Sequence, residues 1–356
     1  MSGDEWQGVV ATAQELIGAL TAAQGVLEQA AKEVDEQKQT RLEGLRQAAM
    51  RLAGTVSLEC QANAEGTVHW CETSASRSRR SHSQQDRVVL HRTPIDVADL
   101  LRERLWANTE RAILTSATLT ASGSFSYLRS RLGLDEELDE HVIGSPFDYR
   151  SQALLYVPGH LPAPEREPTR EYYDRVAEEI ARIVKLSRGR AFLLFTSRRA
   201  LDEAHVRLIS ALPFPLFRQG DMPPAKLLKA FRESECGCLL GNQTFWEGVD
   251  VQGEALSVVV IDRIPFAVPD SPITKARTDA IEAAGGNSFF DYSLPQAQIR
   301  LKQGFGRLIR TRTDRGIVCI LDSRIHTKRY GEEIVRNLPA ASRASIWSRV
   351  ERFWNG

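Results

Sequence analysis

Arg307 and Arg310 stand three residues apart in the run Gln303-Gly304-Phe305-Gly306-Arg307-Leu308-Ile309-Arg310. On a helix that spacing puts two guanidiniums on one face. There they can neutralise the charge that develops on a transferring phosphoryl group. Three further runs set small hydroxyls or charged groups at expected strand ends. They are Leu114-Thr115-Ser116-Ala117-Thr118-Leu119, Phe195-Thr196-Ser197, and Gly241-Asn242-Gln243-Thr244-Phe245-Trp246-Glu247-Gly248-Val249-Asp250. A strand ending Asp262-Arg263-Ile264-Pro265-Phe266 follows the last. Ligands of open α/β sheets bind beyond the carboxyl ends of the strands, where hydroxyls and free backbone N–H groups suit phosphate oxygens. Singly, each run also has an ordinary structural reading: a turn after a strand, a surface Arg-x-x-Arg, a core tryptophan at Trp246. Only the four together, in this order, point to one chemistry.

Two other groupings bear on metals. The five cysteines, Cys60, Cys71, Cys236, Cys238 and Cys319, are irregularly spaced. The close pair Cys236 and Cys238 has no second pair or nearby histidine to complete a zinc or cluster site, so reduced thiols are expected and no metal ligand is assigned. Asp202-Glu203-Ala204-His205 has the letters of a Mg²⁺-binding box. It follows Ser197-Arg198-Arg199-Ala200-Leu201 inside an expected helix instead of closing an apolar strand, and is read as a coincidence.

The elements that must position these residues change in texture along the chain. Up to about Thr55, apolar residues at Trp6, Val9, Val10, Ala13, Leu16, Ile17 and Leu20, then Val34, Leu42, Leu45 and Met50, keep helical spacing. The charged run Lys32-Glu33-Val34-Asp35-Glu36 reads as a solvated helix face. Val56 to Cys60 and Thr67 to Trp70 read as short strands joined by a turn at Asn63 to Gly66. The Ser/Arg-rich stretch Ser74 to Ser81 reads as a mobile loop. Order resumes at Val88 to Leu90, and Val97 to Trp106 reads as a helix. From Arg111 on, short apolar runs alternate with amphipathic helices. The runs are 112–114, 153–157, 191–195, 238–240, 258–261 and 317–321; the helices include 172–186, 201–212 and 224–232. Fully apolar strands with helices between them mean a mostly parallel sheet covered on both faces, an α/β fold. Pro158 to Pro168, with four prolines, reads as a boundary linker.

Bulk properties narrow the class little further. The 356 residues are 42% hydrophobic and 26% charged with a formal net charge of +0. Such a chain buries a core, and any nucleic-acid contact must come from a local basic patch. No apolar stretch approaches transmembrane length. The acidic N-terminus is unlike a signal peptide, so a cytoplasmic location and no membrane partner are expected.

Taken together the four runs resemble the DinG/XPD-like superfamily-two DNA helicases. Ser116-Ala117-Thr118 resembles that family's motif III, Phe195-Thr196-Ser197 motif IV, Trp246 to Asp250 motif V, and Gln303 to Arg310 motif VI. Gly144-Ser145-Pro146-Phe147-Asp148-Tyr149 is similar to the segment after motif III. Ile264-Pro265-Phe266 with Pro269 and Pro272 is similar to the DinG branch. The match is strong over roughly Arg111 to Arg329.

The resemblance implies a RecA-like motor domain 2 at residues 151–356, preceded by a residual piece of motor domain 1 at 96–150 and a mainly helical arch-like segment at 1–95. It implies movement along single-stranded DNA, 5′ to 3′, driven by ATP with Mg²⁺. By position, Arg307 and Arg310 would be arginine fingers and Gln303 would sense the nucleotide. Glu247, Gly248, Asp250 and Gly306 would belong to the ATP site. Ser116, Thr118, Thr196, Ser197, Arg198, Thr244, Phe245, Trp246 and Arg263 would line the DNA path, with Phe245 or Trp246 able to stack on a base.

The chain holds no Gly-Lys dipeptide, which the family's phosphate loop requires, and no four-cysteine iron–sulfur module. The expected molecule is therefore the C-terminal part of a helicase, inactive without an ATP-binding domain that is carried by a separate polypeptide or has been lost from this one. The Ile113-Leu114 strand then belongs to a sheet whose other strands are missing, an edge that this chain caps internally or a second polypeptide covers. The alternative is a non-catalytic nucleic-acid-binding module or an interaction scaffold.

Overall fold

The computed structural model describes residues 3–60, 66–75, 86–134, 138–242, 245 and 256–356. In chain order the elements begin with helices α1 (Gly3–Ala31) and α2 (Glu36–Glu59), strands β1 (Thr67–Ala75) and β2 (Asp86–Pro94), and helices α3 (Ala98–Arg104), α4 (Ser126–Leu132) and α5 (Tyr149–Gln152). Next come β3 (Ala153–Tyr156), α6 (Arg170–Leu186), β4 (Ala191–Leu194), α7 (Arg198–Ala211), β5 (Leu216–Arg218), α8 (Pro224–Glu233), β6 (Cys238–Gly241) and β7 (Val258–Ile261). The remainder is α9 (Pro272–Ala283), α10 (Leu294–Phe305), β8 (Gly316–Ile320), α11 (Arg324–Thr327), α12 (Arg329–Asn337), β9 (Ser342–Ala344) and α13 (Trp347–Asn355).

The chain divides into two compact units: Met1–Asp99 with Val268–Ala284, and Leu100–Ala267 with Gly285–Gly356. In the first, α1 and α2 form a hairpin. The charged run expected as a helix face is instead its turn, and Asp35 caps α2 by accepting from the Lys38 N–H at 3.0 Å. Residues 56–59, expected as a strand, continue α2. Strands β1 and β2 pair antiparallel, with Trp70 stacked on His91 at 4.6 Å between centroids. Helix α9 joins this unit, its Arg277 Nε donating to the Ile95 carbonyl at 2.9 Å. The expected turn at 63–66 lies largely outside the described residues, as does most of the Ser/Arg-rich stretch.

The second unit is built on a seven-stranded sheet in the order β5-β6-β4-β7-β8-β3-β9, every pair parallel. Alternation along β4 explains its two covered faces. Phe192 and Leu194 join one core with Phe231, Val259, Leu301 and Phe305. Ala191, Leu193 and Phe195 join the other with Ile180, Ile183, Leu201 and Val260. Helix α6 buries Tyr172, Tyr173, Val176, Ala177, Ile180, Ile183 and Val184, the three-and-four spacing of an amphipathic helix. Thr169 caps it, accepting from the Tyr172 N–H at 3.2 Å.

Two expectations fail here. Residues 158–168 are not a domain boundary; they connect β3 to α6 within the unit, and Leu161 is buried. Residues 111–116 form no strand, and Ile113 is 93% exposed. Among the described residues no strand lies beside them, and a strand is fixed only by its ladder partner. Val142 and Ile143, in a second extended segment, are exposed for 74% and 91%. Among the described residues no helix is long and apolar enough to cross a membrane.

Candidate functional site

Motif VI begins on α10, which returns from the carboxyl edge of the sheet toward the amino end of β8. Its arginines therefore stand at the opposite edge from the motif IV hydroxyls. Gln152, just before β3, anchors the turn after them: its Nε2 donates to the carbonyls of Thr311 at 3.0 Å and Asp314 at 2.8 Å. Asp314 Oδ2 in turn accepts from the N–H groups of Arg310 and Thr311, each at 2.8 Å. Burial raises the Asp314 pKa, but the Thr311 hydroxyl and those two N–H groups outweigh it and hold the carboxyl below its usual range.

An open cleft of 1310 Å³ lies along this face. Its walls are the motif III segment from Ala117 to Gly123, the segment Val142 to Arg150, the motif VI residues Lys302, Gln303, Gly306, Arg307 and Arg310, and the end of α12 from Glu333 to Ala340. Lys302, Arg307 and Arg310 are all half-buried here, and burial lowers the pKa of each; Asp314 works against the shift at Arg310. Desolvated cations gathered in one cleft favour an anionic ligand.

The motif III loop is fastened to this wall. Lys302 Nζ donates to the Thr120 hydroxyl at 2.9 Å and its carbonyl at 3.2 Å. Ser122, held at φ 50°, donates from its N–H to Gln298 Oε1 at 2.9 Å and from its hydroxyl to Glu333 Oε1 at 2.5 Å. Ser116 and Thr118 sit beside this loop with their hydroxyls 3.3 Å apart.

The carboxyl edge holds a second constellation, at the ends of β4, β7 and β8. Asp262 is buried and accepts from Thr196 N–H at 2.8 Å, the Thr196 hydroxyl at 3.2 Å and Arg263 Nε at 3.3 Å. Burial outweighs these partners and lifts the Asp262 carboxyl to a pKa of about 6. Arg263 Nη2 also reaches the Ser197 hydroxyl at 3.3 Å. Ser197 caps α7 through Ala200 N–H at 3.1 Å, and Arg198 donates to Asp202 at 3.1 Å and the Gln219 carbonyl at 2.7 Å. Beyond β8, buried Asp322 binds Arg324 and accepts from Ile264 N–H at 2.8 Å.

The structure thus brings Thr196, Ser197, Arg198 and Arg263 together at one edge, and Gln303, Gly306, Arg307, Arg310 and Thr118 around the cleft. It does not merge the two groups. Phe245, expected on the DNA path, is 3% exposed and packs in the core against Gly241, so its ring is not available to stack on a base. Thr244, Trp246, Glu247, Gly248 and Asp250 lie outside the described residues. Asp202 and Glu203, the box-like letters, sit on α7 and are engaged by Arg198 with Arg218 and by Arg207 respectively. Sequence reading missed Lys302, Gln298, Ser122, Glu333, Asn337 and Asp262. The spacing of Gln298 and Lys302, four apart on one helix face, is the one signal it could have used.

Comparison with known proteins follows the same lines. Residues 180–341 match the family described as "Helicase C-terminal domain". The chain is 41% identical over 267 residues to the ATP-dependent DNA helicase YoaA of Haemophilus influenzae, covering 74% of this chain and 41% of that protein. It is 41% identical over 258 residues to the ATP-dependent helicase DinG of Mycobacterium tuberculosis, covering 71% of this chain and 38% of that protein. With the 3′-5′ exonuclease DinG of Bacillus subtilis it shares 31% identity over 355 residues, 95% of this chain and 37% of that protein. The chain thus spans about two fifths of the length of the curated relatives it matches. A solved XPD helicase overlays 97% of this chain and 65% of its own, with a TM-score of 0.56 and 16% identity.

The parallel sheet, its two covered faces and the arginine-bearing turn before β8 define a RecA-like helicase domain. More narrowly, residues 180–341 carry the helicase C-terminal domain, and the chain is similar to the C-terminal region of the DinG and YoaA helicases, with the fold of XPD.

Proposed function

We propose that this chain supplies one half of an ATP-driven motor acting on single-stranded DNA. The observation that carries the reading is the gathering of desolvated Lys302, Arg307 and Arg310 in one cleft. Arg307 and Arg310 there stabilise the charge on the transferring phosphoryl group. The 356 residues hold no Gly-Lys pair, so the loop that cradles the triphosphate comes from a second RecA-like half, on another polypeptide or elsewhere on a longer one. Mg²⁺ would be held in that half together with the triphosphate.

The second half docks where exposed Ile113, Val142 and Ile143 await strand partners. Single-stranded DNA follows the carboxyl edge past Ser197, Arg198 and Arg263, with the family's 5′ to 3′ polarity. Asp262 fixes both Thr196 and the Arg263 guanidinium, so Arg263 is presented already oriented.

The test is complementation. A purified phosphate-loop half of a DinG-type relative is mixed with this chain, and hydrolysis is measured with and without oligothymidine. DNA-stimulated hydrolysis is expected, falling about a thousandfold in Arg307→Ala while oligothymidine binding persists. Salt-sensitive binding without any complemented hydrolysis would instead indicate a non-catalytic binding module.

A further inference from the structure

Four aromatic rings gather at the carboxyl edge of the sheet. Phe266 follows β7, Tyr330 follows β8 at the start of α12, and Phe289 and Phe290 precede α10. Ring centroids lie 5.5 Å apart for Phe266 and Phe289, 5.9 Å for Phe266 and Tyr330, 5.1 Å for Phe289 and Tyr330, and 5.2 Å for Phe289 and Phe290. Phe266, Phe289 and Tyr330 are half-buried and pack on the margin of the core. Phe290 meets only Phe289 among these rings, at 87°, and is 55% exposed.

The backbone beneath them is firmly tied. Residues Phe289–Ser293 form a π-helical turn, closed by Leu294 N–H donating to the Phe289 carbonyl five residues back. Such turns are rare and recur at functional sites. Asn287 Oδ1 accepts from the N–H groups of both Phe289 and Phe290 at 3.1 Å, and Asp291 Oδ2 accepts from Asn287 N–H at 2.7 Å. On the β7 side, Arg300 Nη1 donates to the Pro265 carbonyl at 3.2 Å. The Arg324 guanidinium, held by Asp322 at 2.7 Å, lies 5.5 Å from the Phe266 ring centroid. Phe290 is thus held out by a turn that is itself fixed, while the rings that fill the core nearby, such as Phe305, are fully buried.

An aromatic ring fixed at its base, with more than half its surface in solvent and cations beside it, suits an unpaired nucleobase, which stacks without sequence readout. Arg263 and Phe266 are three residues apart, a span of at most about 11 Å. A strand whose backbone meets Arg263 therefore brings its bases within reach of the rings. The guanidiniums of Arg263 and Arg324 favour a polyanion over a neutral apolar partner at this place. We propose that Phe290, carried on Phe289 and backed by Phe266 and Tyr330, is a stacking platform for a base of single-stranded DNA. The proposal rests on the DNA path given above and adds the group that grips the bases, a role the buried Phe245 does not fill.

The test titrates the purified full chain into fluorescently labelled oligothymidine at fixed salt and follows anisotropy. Phe290→Ala should bind about tenfold more weakly, the scale of one lost base stack, and Phe290→Trp at least as tightly as the unaltered chain. Against an oligomer of abasic deoxyribose phosphates of the same length, the unaltered chain and Phe290→Ala should bind alike. Irradiation with oligothymidine carrying 5-iodouracil should cross-link the peptide that holds Phe290. If oligothymidine binds but Phe290→Ala binds it equally well, or loses as much on the abasic oligomer, the platform is overturned; a loss on both oligomers in Arg263→Ala would then leave the DNA path standing. A dimer that Phe290→Ala dissociates in sedimentation, with DNA affinity unchanged, would likewise overturn it and give the rings to a second copy. If the chain does not bind oligothymidine, platform and path both fall. Should Phe290→Ala not fold, the cross-link on the unaltered chain decides.

Discussion

The Asp262 carboxyl allows a pH prediction with a definite sign. Asp262 is 3% exposed, and burial lifts its pKa from 3.8 to about 6 against the pull of Arg263 and Thr196. The folded state then holds the Asp262 proton more tightly than the unfolded chain does. This stabilising contribution is complete below about pH 3.8 and is lost as pH rises through about 6. At ~1.36 kcal/mol per pH unit the full effect is roughly 3 kcal/mol. Of this, roughly 1.3 kcal/mol falls between about pH 5 and about pH 7. Asp262→Asn keeps the shape and removes the titration. Urea unfolding of both proteins across that interval should show the unaltered chain losing roughly 1.3 kcal/mol more than the variant as pH rises. The constant offset from hydrogen bonds lost in the variant cancels in this comparison. Parallel stability curves would refute the claim that burial outweighs Arg263 at this carboxyl.

Three further outcomes are expected. Gly189 has φ +79°, and a Cβ there would lie 1.9 Å from the Cys236 carbonyl oxygen; Gly189→Ala should cost about 3 kcal/mol in urea unfolding, from strain plus clash. Lys302→Met removes both bonds to Thr120, so amide exchange should quicken across residues 118–124, while unchanged exchange there would deny the fastening role. Ile113→Lys with Ile143→Lys should leave the melting temperature within experimental error, because both side chains are over nine-tenths exposed, yet weaken recruitment of a phosphate-loop half in sedimentation; undiminished recruitment would move the docking surface elsewhere.

The sheet was legible where burial was uniform. The runs at 153–157, 191–195, 238–240, 258–261 and 317–321 are apolar throughout because both faces of the sheet are covered. Strands β5 and β9 were not, because edge strands of three residues such as Ser342-Arg343-Ala344 carry no such pattern. Val56 to Cys60 misled because β-branched and apolar letters at the end of a long helix look like a strand when its preceding turns are ignored. Ile113-Leu114 has strand-like residues but no neighbour, and local sequence does not report the missing partner. In the cleft, the arginines of motif VI were visible through their place in a run and not through helical spacing: α10 ends at Phe305, and both arginines lie in the turn and loop beyond it. Asn337 was not, because an isolated asparagine at a helix end is indistinguishable from a cap until the cavity beside it is seen. Phe245 was misplaced for the opposite reason: only burial separates a core ring from a stacking platform.

Under the proposed function these residues supply arginines to an ATP site whose phosphate loop lies elsewhere. Steady-state ATP hydrolysis by the purified chain alone, with and without single-stranded DNA and beside Arg307→Ala, tests it most directly. No hydrolysis above the Arg307→Ala control is expected under either condition. DNA-stimulated hydrolysis that disappears in Arg307→Ala would contradict it, since the chain would then hold a complete phosphate site of its own or assemble one from its copies.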